Sequence, residues 1–201
     1  MNFRRSTLLA LLAASATLSA CAPLLVGSAA VSGAMLFTDR RTSGAQLEDQ
    51  SIEIKGLARA KSAAGDRGHL NVTSYNRVAL ITGEVPTDAD RAAVEQALTA
   101  VDNVRSVVNE VGVMPNSALT TRSNDSLITG KVKATLVDAK DVQANAFKVV
   151  TERGTVYLLG RVTEREASRA VELTRTIAGV QKVVRVFETL TEDELKALTP
   201  K

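Results

Sequence analysis

Apolar and polar positions alternate along residues 70–85 (LNVTSYNRVALITGEV) and again along residues 147–162 (FKVVTERGTVYLLGRV). The two segments align without a gap at an offset of 77. Each has a period-2 run, a polar turn at Tyr75-Asn76-Arg77 or Glu152-Arg153-Gly154, and a second apolar run ending in Gly-x-Val, which predicts a β-hairpin. Gly83 and Gly160 match, and a glycine late in a strand signals a bulge or a close backbone approach. The pattern then changes to helical spacing. One helix starts at Thr87-Asp88 and carries Ala93, Val94, Ala97, Leu98 and Val101; its counterpart starts at Thr163-Glu164 and carries Ala167, Ala170, Val171, Thr174, Ile177 and Ala178. Their early carboxylates suit the positive end of the helix dipole. A β-rich run closes each copy, at 104–113 and 180–187, with the register slipped by one residue. A further helix is predicted before each hairpin. The first covers 49–60, with a stripe interrupted by Gly56. The second follows the capping residues Asn124-Asp125-Ser126 and carries Ile128, Val132, Thr135 and Leu136. The order is α-β-β-α-β, twice.

The boundaries follow from this repeat. The first domain spans 46–115 and the second 122–190, with a turn-rich linker at 116–121 and a tail at 191–201 predicted to be a short or frayed helix. Ahead of them, Arg4-Arg5, an apolar stretch from Leu8 to Leu18 and small residues before Cys21 make residues 1–20 a secretory signal. Leu18-Ser19-Ala20-Cys21 looks like a bacterial lipobox, which makes Cys21 the acylated first residue of the mature chain. One acyl chain holds a membrane only reversibly, whereas two or three make detachment negligible. Ala22 stands where an inner-membrane retention aspartate is common, which favours the outer membrane. Residues 21–45 then form a tether. Its uncharged part, 22–37, either lies on the membrane as a second anchor or packs partly on the domain.

Composition narrows the function. Without the two arginines of the signal, 23 basic residues face 22 acidic ones, so the pI near 9.2 does not imply nucleic acid. Aromatics are only 3%, too few to stack single-stranded bases. The chain has one cysteine, committed to lipid, so neither a disulfide nor a thiol nucleophile is expected. Its one histidine, His69, follows Asp66-Arg67-Gly68 and reads as a solvated loop residue lacking the companions a metal needs, so no metal and no cofactor are expected. No phosphate loop or nucleophile elbow is present, and Asp88, Asp90, Glu164 and Glu166 are explained as helix-start charges. The chain is therefore not expected to be an enzyme.

Val156-Tyr157-Leu158-Leu159-Gly160-x-Val162 with Gly179-Val180-x-x-Val183, and Val78-Ala79-Leu80-Ile81-Thr82-Gly83-x-Val85 with Val104-x-x-Val107, resemble the BON domain. The first copy departs in carrying Asn103 where the second has Gly179. With the lipobox and Asp39-Arg40-Arg41-Thr42, the chain resembles the dual-BON outer-membrane lipoproteins of the DolP (YraP) type. The resemblance implies an α+β fold in which two helices pack on a three-stranded mixed sheet in each domain. It also implies a protein facing the periplasm whose second BON domain binds anionic phospholipid. It connects the chain to outer-membrane integrity, division sites and the outer-membrane protein assembly machinery.

Charge agrees with the lipid assignment. Residues 46–115 hold 7 basic against 10 acidic residues, and residues 122–190 hold 12 against 8. A basic domain tethered to a membrane is drawn to anionic headgroups. Leu127, Gly130, Lys131 and Ala134 fall at i, i+3, i+4 and i+7, away from the core stripe, with Lys133 and Arg122 nearby. This face is the candidate phospholipid surface; the alternative is that Leu127 covers the neighbouring domain or a loop. A scaffold that docks a protein partner, without lipid binding, is the competing function.

Overall fold

The computed structural model describes residues 39–198. The signal segment, Cys21 and the 22–37 run lie outside the described residues. The first domain consists of α1 (Ser43–Ala64), β1 (His69–Tyr75), β2 (Val78–Val85), α2 (Asp88–Thr99) and β3 (Ser106–Val113). The second repeats it with α3 (Leu119–Asp138), β4 (Phe147–Glu152), β5 (Thr155–Thr163), α4 (Glu164–Arg175) and β6 (Lys182–Leu190); a short helix, α5 (Glu192–Leu198), follows. In each sheet the middle strand pairs antiparallel with its hairpin partner and parallel with the strand returning from the helix. The fold is thus α+β, with two mixed three-stranded sheets.

Local chemistry explains the elements. Both hairpins turn through two residues of positive φ, Asn76 (49°) and Arg77 (69°), and Arg153 (49°) and Gly154 (69°), the signs a type I′ turn requires. Thr87 and Thr163 cap α2 and α4, each hydroxyl accepting from the third backbone N–H of its helix. Glu166 completes a capping box by accepting from the Thr163 N–H. The two hairpin glycines mark close approaches: a Cβ would lie 1.9 Å from the His69 carbonyl oxygen at Gly83 and 2.4 Å from that of Ala146 at Gly160. Asn103 occupies a left-handed position (φ 67°) like Gly179 (φ 98°), so the departure between the copies keeps the same turn; asparagine tolerates this region better than most residues.

Both long helices begin earlier than their patterns suggest. α1 reaches back to Ser43, into the tether segment, with Thr42 as its cap. α3 starts at Leu119, inside the segment read as linker, after Ala118, which makes no side-chain cap. Asn124-Asp125-Ser126 therefore does not start the helix. Asp125 is buried within it, and its carboxylate accepts from the backbone N–H groups of Arg153 and Gly154, both at 2.8 Å. Asp49 of α1 does the same for the first hairpin, accepting from the N–H groups of Asn76 and Arg77 at 2.7 Å. The repeat thus includes a buried aspartate that latches the helix to the turn.

Each domain has an aliphatic core between its helices and one face of its sheet. Ile52, Val94, Leu98 and Ile81 lie in the first; Val132, Leu136, Leu158, Ala170 and Val171 lie in the second. The other faces pack on each other. Tyr75 and Leu80 of the first sheet meet Tyr157 and Leu159 of the second in a third apolar cluster. This explains why β2 and β5 read as nearly continuous apolar runs, the pattern of strands buried on both faces. Burying leucines such as Leu80 and Leu159 contributes about 1.5–3 kcal/mol each. Polar contacts frame the apolar seam. Lys148 pairs with Glu53, and Asn76 donates to Glu188 at 2.6 Å. Arg153 donates to the Gly83 carbonyl and to Glu84, both at 2.7 Å.

Candidate functional site: the outer face of α3

α3 buries Asp125, Ile128, Val132 and Leu136. These positions recur every three or four residues and fix which side turns outward. The outward side carries Leu127, which is 64% exposed, together with exposed Gly130, Lys131, Lys133 and Ala134. The structure therefore places all five sequence-predicted residues at the surface. A Cβ at Gly130 would meet no atom within 4 Å, so glycine there leaves a gap in the side-chain relief rather than making room for a neighbour.

Two large apolar residues on this helix escape the sequence pattern. Leu119 is 77% exposed and Val137 is 69% exposed. Leu119 was hidden by placing the helix start too late. With Leu127 they give three exposed apolar side chains over 19 residues, the first and last about 27 Å apart at 1.5 Å per residue. Arg122 is not one of the outward cations. Its guanidinium turns to the linker, where Nη2 donates to the Ser117 carbonyl at 2.9 Å and Nε to the Ser117 hydroxyl at 3.2 Å.

Leu127 and Lys131 also border a cleft of about 670 Å³, completed by Met114 and Pro115 at the end of the first domain and by Arg153, Gly179 and Gln181. Its walls mix apolar carbon with cations and with the Glu84 and Asp125 carboxylates. What the helix offers chemically is three separate exposed apolar side chains with exposed ammonium groups on the same helix. Such a surface fits a lipid–water interface, where carbon sinks among acyl chains and cations meet phosphates. Among the described residues no helix is long and apolar enough to cross a membrane.

Comparison with known proteins places this helix in a family. The BON domain model matches twice, at residues 55–115 and 124–190, so α3 from Asn124 onward lies in the second match. The chain is 34% identical over 182 residues to "Outer membrane lipoprotein DolP" of Haemophilus influenzae, covering 90% of this chain and 94% of that one. It belongs to the BON family, as a dual-BON protein of the DolP type. A second relative, "21 kDa hemolysin" of Actinobacillus pleuropneumoniae, is 29% identical over 151 residues, 74% of this chain and 78% of that one. Among solved structures, that of CdsD, a structural protein of the type III secretion system of Chlamydia trachomatis, covers 72% of this chain and 97% of that one, with 14% identity and a TM-score of 0.30. The kinship makes this chain an outer-membrane lipoprotein and points to a non-catalytic envelope role.

Proposed function

We propose that this protein is anchored in the outer membrane through acylated Cys21, faces the periplasm, and binds anionic phospholipid through α3 of its second BON domain. By this activity it supports the integrity of that membrane, with division sites as the place to which the resemblance assigns it. The observation that carries the reading is the exposure of Leu127, with Leu119 and Val137, and of Lys131 and Lys133 on the same helix. The surplus of basic residues in the second domain acts in the same direction.

A fragment of residues 39–201, which keeps Arg40 and Arg41, tests the reading. It is expected to co-sediment with phosphatidylglycerol vesicles and not with phosphatidylcholine vesicles. Leu127→Glu places a carboxylate on the exposed face of α3 without touching the core, and is expected to weaken binding at least tenfold while leaving the melting temperature unchanged. Replacing Lys131 and Lys133 with Gln removes about 1 kcal/mol each near the surface, roughly fivefold per residue at low salt. That loss shrinks at high salt, where the Debye length contracts. Unchanged co-sedimentation of Leu127→Glu would refute the site.

The competing reading is a scaffold that serves the outer-membrane protein assembly machinery without touching lipid. It is favoured by Leu47 (69% exposed) and Ile54 (66% exposed), which stand one above the other on α1 of the acidic domain. Vesicle binding by the purified fragment alone separates the two.

A further inference from the structure

The histidine expected in a solvated loop is neither in a loop nor alone. His69 is the first residue of β1 and sits directly across the hairpin from Glu84 of β2. Glu152, at the end of β4 in the second domain, faces the same point. We propose that His69, Glu84 and Glu152 form a binding site for one divalent transition-metal ion of the zinc class, held between the two BON domains.

Three observations support the site. First, one ligand atom from each residue can be chosen so that all lie within 4.8 Å of one another. His69 Nδ1 is 3.3 Å from Glu84 Oε2. Zinc–nitrogen and zinc–oxygen bonds of about 2.0–2.1 Å at tetrahedral angles set neighbouring ligand atoms about 3.3 Å apart. Second, His69 Nδ1 is sealed from solvent yet makes no hydrogen bond, even to the nearby Glu84 oxygen. It is a buried polar atom without a hydrogen-bond partner among the described residues, directed toward the Glu84 carboxylate. Third, the two carboxylates are nearly inaccessible, Glu84 at 0% and Glu152 at 3% exposure. Arg153 neutralises one of them through Glu84 Oε1 at 2.7 Å, while Glu84 Oε2 accepts from Ser117 at 3.2 Å. Glu152 meets the neutral amide of Asn71 at 3.2 Å. A buried carboxylate kept in this setting is a stability cost that a bound cation would reverse.

The donor set selects the ion. One imidazole with two carboxylates suits zinc and its neighbours, whereas calcium takes six to eight oxygens and magnesium an octahedron rich in water. A cleft of about 380 Å³ lined by His69, Asn71, Asp125 and Glu152 gives the ion its route. Because two ligands come from one domain and the third from the other, the ion would also fasten the sheet-on-sheet interface.

The single histidine makes the test direct. The full chain, uniformly labelled with ¹⁵N in detergent micelles, is titrated with ZnCl₂ in millimolar MgCl₂, and the imidazole nitrogens are followed by long-range ¹H–¹⁵N correlation. The expected result is a shift of the Nδ1 resonance that saturates at one zinc per chain. Glu152→Gln, which removes a disfavoured buried charge and is expected to fold, should weaken that binding at least tenfold. A histidine whose Nδ1 does not move at one equivalent overturns the proposal. So does a Glu152→Gln chain that is folded and binds zinc as tightly as the parent.

Discussion

Replacing Asp49 with Ala is expected to lower the unfolding free energy of the 39–201 fragment by about 3–5 kcal/mol, the cost of breaking a buried, fully engaged ionic group. The Asp49 carboxylate is 2% exposed and serves four donors. Oδ1 accepts from the Ser74 hydroxyl at 2.6 Å and the Arg77 N–H at 2.7 Å; Oδ2 accepts from the Asn76 N–H and from Arg41 Nη1, both at 2.7 Å. Alanine leaves a hydroxyl, two turn amides and a guanidinium without their acceptor at one point. The guanidinium retains its place over the Tyr75 ring, 4.2 Å from the centroid, but loses the Asp49 carboxylate. Asp125→Ala provides the internal scale. There the carboxylate accepts from two turn amides, so the expected loss is about 1–3 kcal/mol. Urea titrations of both variants measure the difference as a lower midpoint at constant slope. Equal losses would mean that Arg41 and Ser74 add nothing to the latch.

The two aspartates also show where sequence stops being informative. The hairpins, the Thr87 and Thr163 caps and the repeat are local, with partners a few residues apart, and the pattern reveals them. Asn124-Asp125-Ser126 has the same local signature as a cap, but the Asp125 carboxylate is used by a turn 28 residues later. Only the folded chain shows that choice, and it moved the start of α3 and concealed Leu119. The Leu127, Lys131 and Ala134 positions were legible because helical spacing alone decides which side faces away from Ile128 and Val132. The companions of His69 were not. Glu84 becomes a neighbour only through hairpin register, and Glu152 only through packing of one sheet on the other. The continuous apolar runs of β2 and β5 carried the one available hint of that packing, since a strand with a wet face would alternate.

The largest effect outside the latch is expected at Arg40, and it depends on pH. Its side chain is 6% exposed and grips Glu166 through both terminal guanidinium nitrogens, Nη2 donating to Oε1 at 2.6 Å and Nη1 to Oε2 at 2.8 Å. Nη1 also reaches the Arg161 carbonyl at 2.8 Å. The adjacent Arg41 holds Asp49 of the first domain, so consecutive residues ahead of α1 are tied to different domains. Arg40→Met keeps much of the volume and removes the charge, leaving Glu166 buried with its helix-capping bonds alone. The expected loss at pH 7 is about 3–5 kcal/mol. Burial by itself would raise the Glu166 carboxyl; the hydrogen bond from Arg40, with that from the Thr163 N–H, outweighs it and holds the group below its ordinary value. A carboxyl depressed in the folded state contributes stability that is complete above its unfolded value and disappears as pH falls through the folded one. In the parent protein this contribution is therefore lost in acid, below the ordinary glutamate range. The melting-temperature gap between parent and Arg40→Met should be widest at neutral pH and close as the buffer is taken below that range. A gap that stays constant into acid would assign the loss to packing of the arginine stem, and the charge clamp between the tether and the second domain would have to be abandoned.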